Sequence, residues 1–345
     1  MRRARKLQII GRVFLVVGII AAIIGGGFLG YMQAQLNKAH GDIDTNDIKI
    51  DESIPLLFDE DIVNILLLGV DERPSEGDVG RSDTTMIATI DFKNNQLKLT
   101  SLMRDMYVNI PGYGYGKFNQ AYANGGIELV IQTIASNFGI KLDGYATVNF
   151  YAFVDIIDIL GGVEIDINQD EYEWIQANCK SKTLLAIKPG LQNLNGYQAL
   201  LYSRLRFVGN NDFERTDRQR RVLSTLFDKL KTQSYGAMVR VMTSALNHVK
   251  TDLSMGEIQS LAYNVLQMNV DEIDQLRVPM DGTYTFDWAT MNGVNVSVIK
   301  IDVEANREAI NRFIYSQVLE TQADGSSNGA TETLNDYEDY ENYEE

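Results

Sequence analysis

Cysteine and histidine are nearly missing from this sequence. Cys179 is the only cysteine, so no intrachain disulfide can form. His40 and His248 are the only histidines, and no GxSxG elbow, CxxC pair or HExxH helix occurs. These absences argue against zinc sites and histidine-based triads. Positive charge is also short: 31 Lys and Arg stand against 47 Asp and Glu, a formal net charge of −16. General nucleic-acid binding needs a basic field over a whole face, which this balance does not supply, although a local cluster of cations can still hold one anion. What is present is a chain of 345 residues, 45% of them hydrophobic, enough to bury a full core in one large domain or two smaller ones.

Arg2, Arg3, Arg5, Lys6 and Arg12 precede the uncharged run "VFLVVGIIAAIIGGGFLGYM", residues 13–32. Twenty such residues suffice for a bilayer core of roughly 30 Å, and the basic flank stays in the cytoplasm. A cleaved signal peptide needs an apolar region of about 7 to 15 residues and a small-x-small cleavage site, and neither is seen. Residues 1–12 therefore read as a cytoplasmic basic terminus and 13–32 as one transmembrane helix. The protein is expected in the cell membrane, single-pass, with all that follows outside the cytoplasm. Residues 33–60 are polar and acidic and read as an extracytoplasmic stalk. Residues 321–345 carry no Lys or Arg and are dense in Asp, Glu, Ser and Asn, the composition of a disordered acidic tail. The domain is expected over residues 61–320.

Inside that domain strand and helix signals alternate. "NILLLGV", "TTMIATIDF" and "QLKLTSL" read as strands, the last two joined as a hairpin at Lys93, Asn94 and Asn95. Ile127, Val130, Ile131, Ile134 and Phe138 recur at helical spacing, with Gly139 placed to end the turn. "YATVNF" is a further strand, "YAFVDIIDIL" a buried helix closed by Gly161 and Gly162, and "VEIDI" another strand. The pattern is that of a layered α/β domain.

Polar residues gather near these strand ends. Residues two apart on a strand share a side, which pairs Asp71 with Arg73 in "GVDERP", Arg81 with Asp83 in "GRSDTT", and Arg204 with Arg206 after an expected strand ending near Tyr202. "MRDMYV" adds Arg104 and Asp105. In a helix starting near Asp212, the spacing puts Arg215, Arg218 and Gln219 on one face with Val222 and Leu226, and turns Arg220 and Arg221 to solvent. Arginine grips phosphate with two parallel hydrogen bonds, and magnesium sits on one or two carboxylates while bridging phosphate oxygens. The set implies a pyrophosphate held by arginines and magnesium. Mutual salt bridges among Asp71, Arg73, Arg81 and Asp83 satisfy the same spacing. "GYGYGKF" is no phosphate-binding P-loop, since Phe118 stands where Ser or Thr is required.

"LLLGVDERP", "GRSDTTMIATID", "SLMRDMYVNIPG", "KFNQAYANGG", "LGGVEIDI", "GLQNLNGYQALLYSRLRF" and "DFERTDRQRRVL", following an N-terminal anchor, resemble the LytR-CpsA-Psr family of cell-wall glycopolymer ligases. The motifs lie in the family's order over residues 62–230. The resemblance implies an α/β/α sandwich with a mixed central sheet. It implies magnesium-dependent transfer of a glycopolymer, such as teichoic acid or capsule, from a polyprenyl-pyrophosphate carrier onto peptidoglycan. By the same resemblance Asp71 and Asp83 bind magnesium. Arg81, Arg104, Arg204, Arg206 and Arg215 clamp the pyrophosphate with Gln219, and Arg73, Arg218, Lys117 and Asn119 lie in matching motifs. Asp105 or Asp83 takes the proton of the attacking hydroxyl. An apolar tunnel between sheet and helices holds the lipid tail. A pyrophosphatase acting on the same carrier, and a non-catalytic lipid-binding regulator, are the alternatives. Met103 departs from the family's proline before the Arg-Asp pair, which removes no charge.

Overall fold

The structure is a computed structural model that describes residues 33–41, 43–70, 82–205, 212–233, 241, 249–268, 270, 272–291 and 293–324. The expected basic terminus and transmembrane helix, and residues 325–345 of the expected tail, lie outside the described residues. Among the described residues no helix is long and apolar enough to cross a membrane.

Residues 33–39 form α1. Then come β1 (Ile62–Val70), β2 (Ser82–Asp91), β3 (Gln96–Leu102), β4 (Met106–Ile110), β5 (Gly114–Lys117), α2 (Gln120–Phe138), β6 (Gly144–Val148) and α3 (Phe150–Ile159). The chain continues through β7 (Val163–Ile167), α4 (Gln169–Asn178), α5 (Lys182–Leu185), β8 (Gly190–Leu194), α6 (Gly196–Ser203) and α7 (Asp212–Lys231). It ends with β9 (Val249–Thr251), α8 (Met255–Gln267), β10 (Ile273–Val278), β11 (Tyr284–Met291), β12 (Val294–Ile301) and α9 (Val303–Asp324). A six-stranded mixed sheet has the order β10-β3-β2-β1-β6-β9; a four-stranded sheet has the order β11-β12-β4-β5; β7 and β8 form a separate hairpin.

Local signals behave as the sequence implies. The β2–β3 hairpin turns at Asn95, whose φ of 53° is the left-handed region that Asn tolerates. Helix α2 stops at Gly139, φ 68°, whose N–H donates to the carbonyl of Ala135. Alternation along β1 splits its side chains between two faces. Leu66, Leu68 and Val70, with Ile87 of β2, bury against Val130, Ile131, Ile134 and Phe138 of α2 and Ile310 and Ile314 of α9. Each such side chain contributes about 1.5–3 kcal/mol when fully buried. The opposite face looks toward α3, α6 and α7. Those helices build a second core with the β7–β8 hairpin around Ile157, Ile165, Ile175, Tyr202 and Val222.

Three expectations change. The stretch before Arg204 is helix α6, not a strand: Asn195 and Gln198 form a capping box, each side chain accepting from the other's backbone N–H. Much of residues 33–60 lies against the domain instead of standing off it as a stalk. Leu36 and Ala39 are buried beside Met255 and Ile258 of α8, the Thr45 N–H donates to Asp252 at 2.9 Å, and Leu57 bridges to Ile140. Finally, α9 runs to Asp324, so residues 321–324 are helical.

Candidate active site

The open face of the six-stranded sheet encloses a cavity of about 430 Å³ between β1, β2, β6 and helices α3, α6 and α7. Leu67, Met86, Phe150, Phe153, Leu200 and Leu223 give it an apolar wall, and Asp83, Arg204, Arg215 and Gln219 give it a polar one. A β-bulge creates part of this. Gly69 pairs with Thr84 but Val70 pairs with Ser82, so Asp83 is the extra residue, and strict alternation fails there. Asp83 and Thr84 consequently both line the cavity. A Cβ on Gly69 would stand 3.1 Å from the Thr84 Cβ, so a side chain there would require Thr84 to shift by a few tenths of an ångström.

Arg104, between β3 and β4, is the centre of the charges. Its Nη1 donates to Asp83 Oδ1 at 2.8 Å, and its Nε lies 3.4 Å from Asp212 Oδ2 and 3.6 Å from Asp105 Oδ2. Arg215 Nη1 is 3.1 Å from the other Asp212 oxygen, and Lys117 Nζ donates to Asp105 Oδ1 at 2.9 Å. Three carboxylates and three cations thus share one partly buried patch, in which each charge has an opposite charge within 4 Å. Burial pushes the Arg104 pKa down, but the charges of Asp105, Asp212 and Asp83 and the Asp83 hydrogen bond outweigh it and raise it. The Asp105 and Asp212 carboxyls reach each other. Burial and the hydrogen bond with Asp105 raise the Asp212 pKa; for Asp105 burial is outweighed by hydrogen bonds from Asp212 and Lys117 and the charges of Arg104 and Lys117, which lower it. A second cavity, about 370 Å³, opens beside this pair and is lined by Asp105, Lys117, Asp212, Phe213, Phe286, Ser297, Val298 and Ile299.

Most of the expected residues that the structure describes converge. Asp83, Arg104, Asp105, Lys117, Arg204, Arg215 and Gln219 line the two cavities or join the charge network between them. Arg204 ends α6 and lies over the Phe150 ring at 4.3 Å. Asn119 is buried at the start of α2, where its N–H donates to the Arg104 carbonyl at 3.1 Å and so positions that residue. Asp71, Arg73, Arg81 and Arg206 lie outside the described residues.

The helical face of α7 is shifted by one residue from the expected one. Arg215, Gln219 and Leu223 line the cavity at i, i+4 and i+8. Arg218 is not with them: it is fully buried, 3.5 Å from Glu171 Oε1, and its Nη2 donates to the Leu205 carbonyl at 2.7 Å. Arg221 reaches the same Glu171 at 3.6 Å and donates to the Tyr202 hydroxyl at 2.6 Å. Arg220 pairs with Asp217 and donates to Gln275 at 3.0 Å. The two arginines expected in solvent therefore both have protein partners. Two acids of these networks are not among the expected site residues. Asp212 is spaced i, i+3 from Arg215, a readable signal, whereas nothing local marks Glu171 as the counterion of Arg218. Among the described residues no group of three or more His, Cys, Asp and Glu is arranged to hold a metal ion.

The profile of the LytR_cpsA_psr family matches residues 28–309. The chain is 34% identical over 265 residues to the polyisoprenyl-teichoic acid–peptidoglycan teichoic acid transferase TagT of Bacillus subtilis, covering 74% of this chain and 81% of that one. It is 32% identical over 292 residues to TagU of Bacillus cereus, covering 78% and 88%. A solved structure of TagT bound to LIIa-WTA superposes with a TM-score of 0.62 at 27% identity over 79% of this chain and 98% of that one. One of YwtF (TagT) with bound octaprenyl pyrophosphate lipid gives 0.57 at 27% identity, over 79% and 97%. Matched by profile over most of its length, and by relatives above 30% identity across three quarters of it, this chain belongs to the LytR-CpsA-Psr family.

Proposed function

We propose that the protein transfers a glycopolymer from a polyprenyl-pyrophosphate carrier onto peptidoglycan. The observation that carries this reading is the junction of an apolar cavity with a cluster of arginines, in a chain whose relative binds octaprenyl pyrophosphate. The prenyl tail occupies the wall made by Leu67, Met86, Phe153 and Leu223, and the pyrophosphate meets Arg104, Arg204 and Arg215. A hydroxyl of the acceptor attacks the phosphorus next to the glycopolymer. One P–O bond forms, the bond to polyprenyl phosphate breaks, and the hydroxyl proton passes to the Asp105–Asp212 pair. The arginines stabilise charge spreading over the phosphate oxygens. No covalent intermediate with the protein is required.

Magnesium fits this donor set, because it binds through one or two carboxylates and phosphate oxygens, and Asp83 faces the cavity. Asp71 supplies the second carboxylate in this reading. When bound, the ion adds positive charge to the pyrophosphate. Residues 13–32 anchor the protein in the membrane, with the catalytic domain outside the cytoplasm where peptidoglycan lies. Mass spectrometry of peptidoglycan fragments from cells with and without the protein tests the reading. A phosphodiester-linked glycan present only with the protein is the expected result. Free phosphorylated glycan with no adduct would make the protein a pyrophosphatase.

A further inference from the structure

The four-stranded sheet extends past the charge network as a shelf. Phe286 and Trp288 are two residues apart on β11 and so share a face. They pair with Ile299 and Ser297 of β12, both of which line the second cavity. Phe286 is 60% exposed and Trp288 67%, although Phe286 stands edge-on to Phe213 with ring centroids 6.1 Å apart, which fixes its direction. Their neighbours are polar. Thr290 donates to Asn295 at 2.7 Å, and Ser297 lines the cavity together with Asp105 and Asp212.

Flat aromatic faces followed by hydroxyls and carboxylates are the chemistry that recognises a sugar. The C–H face of a pyranose lies on the electron-rich ring, while its hydroxyls need hydrogen-bond acceptors at the edge. We propose that Phe286, Trp288 and Ser297 form the subsite that seats the acceptor, a glycan strand of N-acetylated amino sugars, and feeds one hydroxyl to the Asp105–Asp212 pair. The proposal rests on the transfer reading above. The donor occupies the first cavity and the acceptor enters through the second, so the two substrates meet from opposite sides of Arg104. A bilayer surface is the competing occupant for exposed aromatics. Against it stand the carboxylates that close the cavity and a net charge of −16, which repels an anionic leaflet.

The sequence offers a direct probe, since Trp174 and Trp288 are its only tryptophans. In the detergent-solubilised full chain, Trp174→Phe leaves Trp288 as the sole tryptophan emitter. Titration with soluble, uncrosslinked glycan-strand oligomers should shift its emission to the blue and saturate, and Phe286→Ala should weaken that binding about tenfold or more, a ratio corresponding to 1.4 kcal/mol. In transfer assays Trp288→Ala should raise the acceptor KM about tenfold with kcat little changed and donor binding unaltered. Saturable oligomer binding without transfer would sustain the shelf and remove the transfer reading. Oligomer binding that leaves Trp288 emission and the Trp288→Ala affinity unchanged overturns the shelf. So does a blue shift seen with anionic phospholipid vesicles and not with oligomers.

Discussion

The two faces of the six-stranded sheet are built from the same strands but carry opposite loads. On one face Leu66, Leu68, Val70 and Ile87 meet α2 and α9 in a continuous buried core. On the other, Leu67, Gly69, Thr84 and Met86 look into about 430 Å³ of space. Filling that face would add stability, since empty volume forfeits contacts. The fold leaves it open, and α7 shows the same division along one helix: Arg218 is sealed against Glu171 while Arg215 and Gln219 face the cavity. Packing and cavity lining are thus assigned to different residues of shared elements.

The largest effects should come from the sealed side. Phe138→Ala should cost about 3–5 kcal/mol in denaturant melts, whereas Phe153→Ala, at the cavity wall, should cost less than about 2 kcal/mol and weaken donor binding instead. Equal losses would erase the distinction between the faces. Glu171→Ala should also cost about 3–5 kcal/mol, because Arg218, at 0% exposure, loses its buried carboxylate at 3.5 Å and is left with Glu214, 4.0 Å away and itself 42% exposed.

On the open side the loss is in rate. Arg104→Ala should lower turnover by about 10²- to 10³-fold at saturating donor, the effect of removing one donor from charge developing in the transition state. A fall in melting temperature that accounts for the loss would make Arg104 structural. The pH profile sharpens the role of the acid pair. In the proposed mechanism activity needs both carboxyls ionised, and the last proton leaves Asp212, whose pKa is raised, so activity should rise with pH through that titration. Asp212→Asn leaves Asp105, which is held low, so the rising limb should move to lower pH as the plateau drops. A limb that stays in place assigns the proton transfer elsewhere. The smallest effect is expected at the capping box of α8, which lines neither cavity, where Ser254→Ala should cost about 1 kcal/mol with unchanged turnover.

Much of the fold was readable because alternation and glycine punctuation are local. The first strands, the Asn95 turn and the Gly139 stop follow from runs of a few residues. The motif residues Asp83, Arg104, Asp105, Lys117, Arg204, Arg215 and Gln219 were readable through the family resemblance, which requires no geometry. Helix α6 reads as a strand in the sequence because its apolar run "ALLY" is short, and a short apolar run fits a strand or a buried helix equally. The phase of α7 went wrong because a stripe at i, i+3, i+4 admits two adjacent faces, and the choice between them depends on Glu171, distant in the sequence. The packing of residues 33–60 depends on α8 and Asp252, more than 190 residues away, and polar composition conceals it.

The central claim is that Arg215 grips a pyrophosphate at the edge of the cavity while Arg218, three residues on, only holds the fold. Transfer of polyprenyl-pyrophosphate-linked glycan to glycan strands should be measured for the purified full chain, Arg215→Lys and Arg215→Ala, with thermal melts alongside. The account predicts an unchanged melting temperature to within a few degrees, Arg215→Ala slower by about 10²- to 10³-fold, and Arg215→Lys between it and the native chain, because lysine keeps the charge and loses the two-pronged geometry. Full activity in Arg215→Ala, with the native melting temperature, would contradict it.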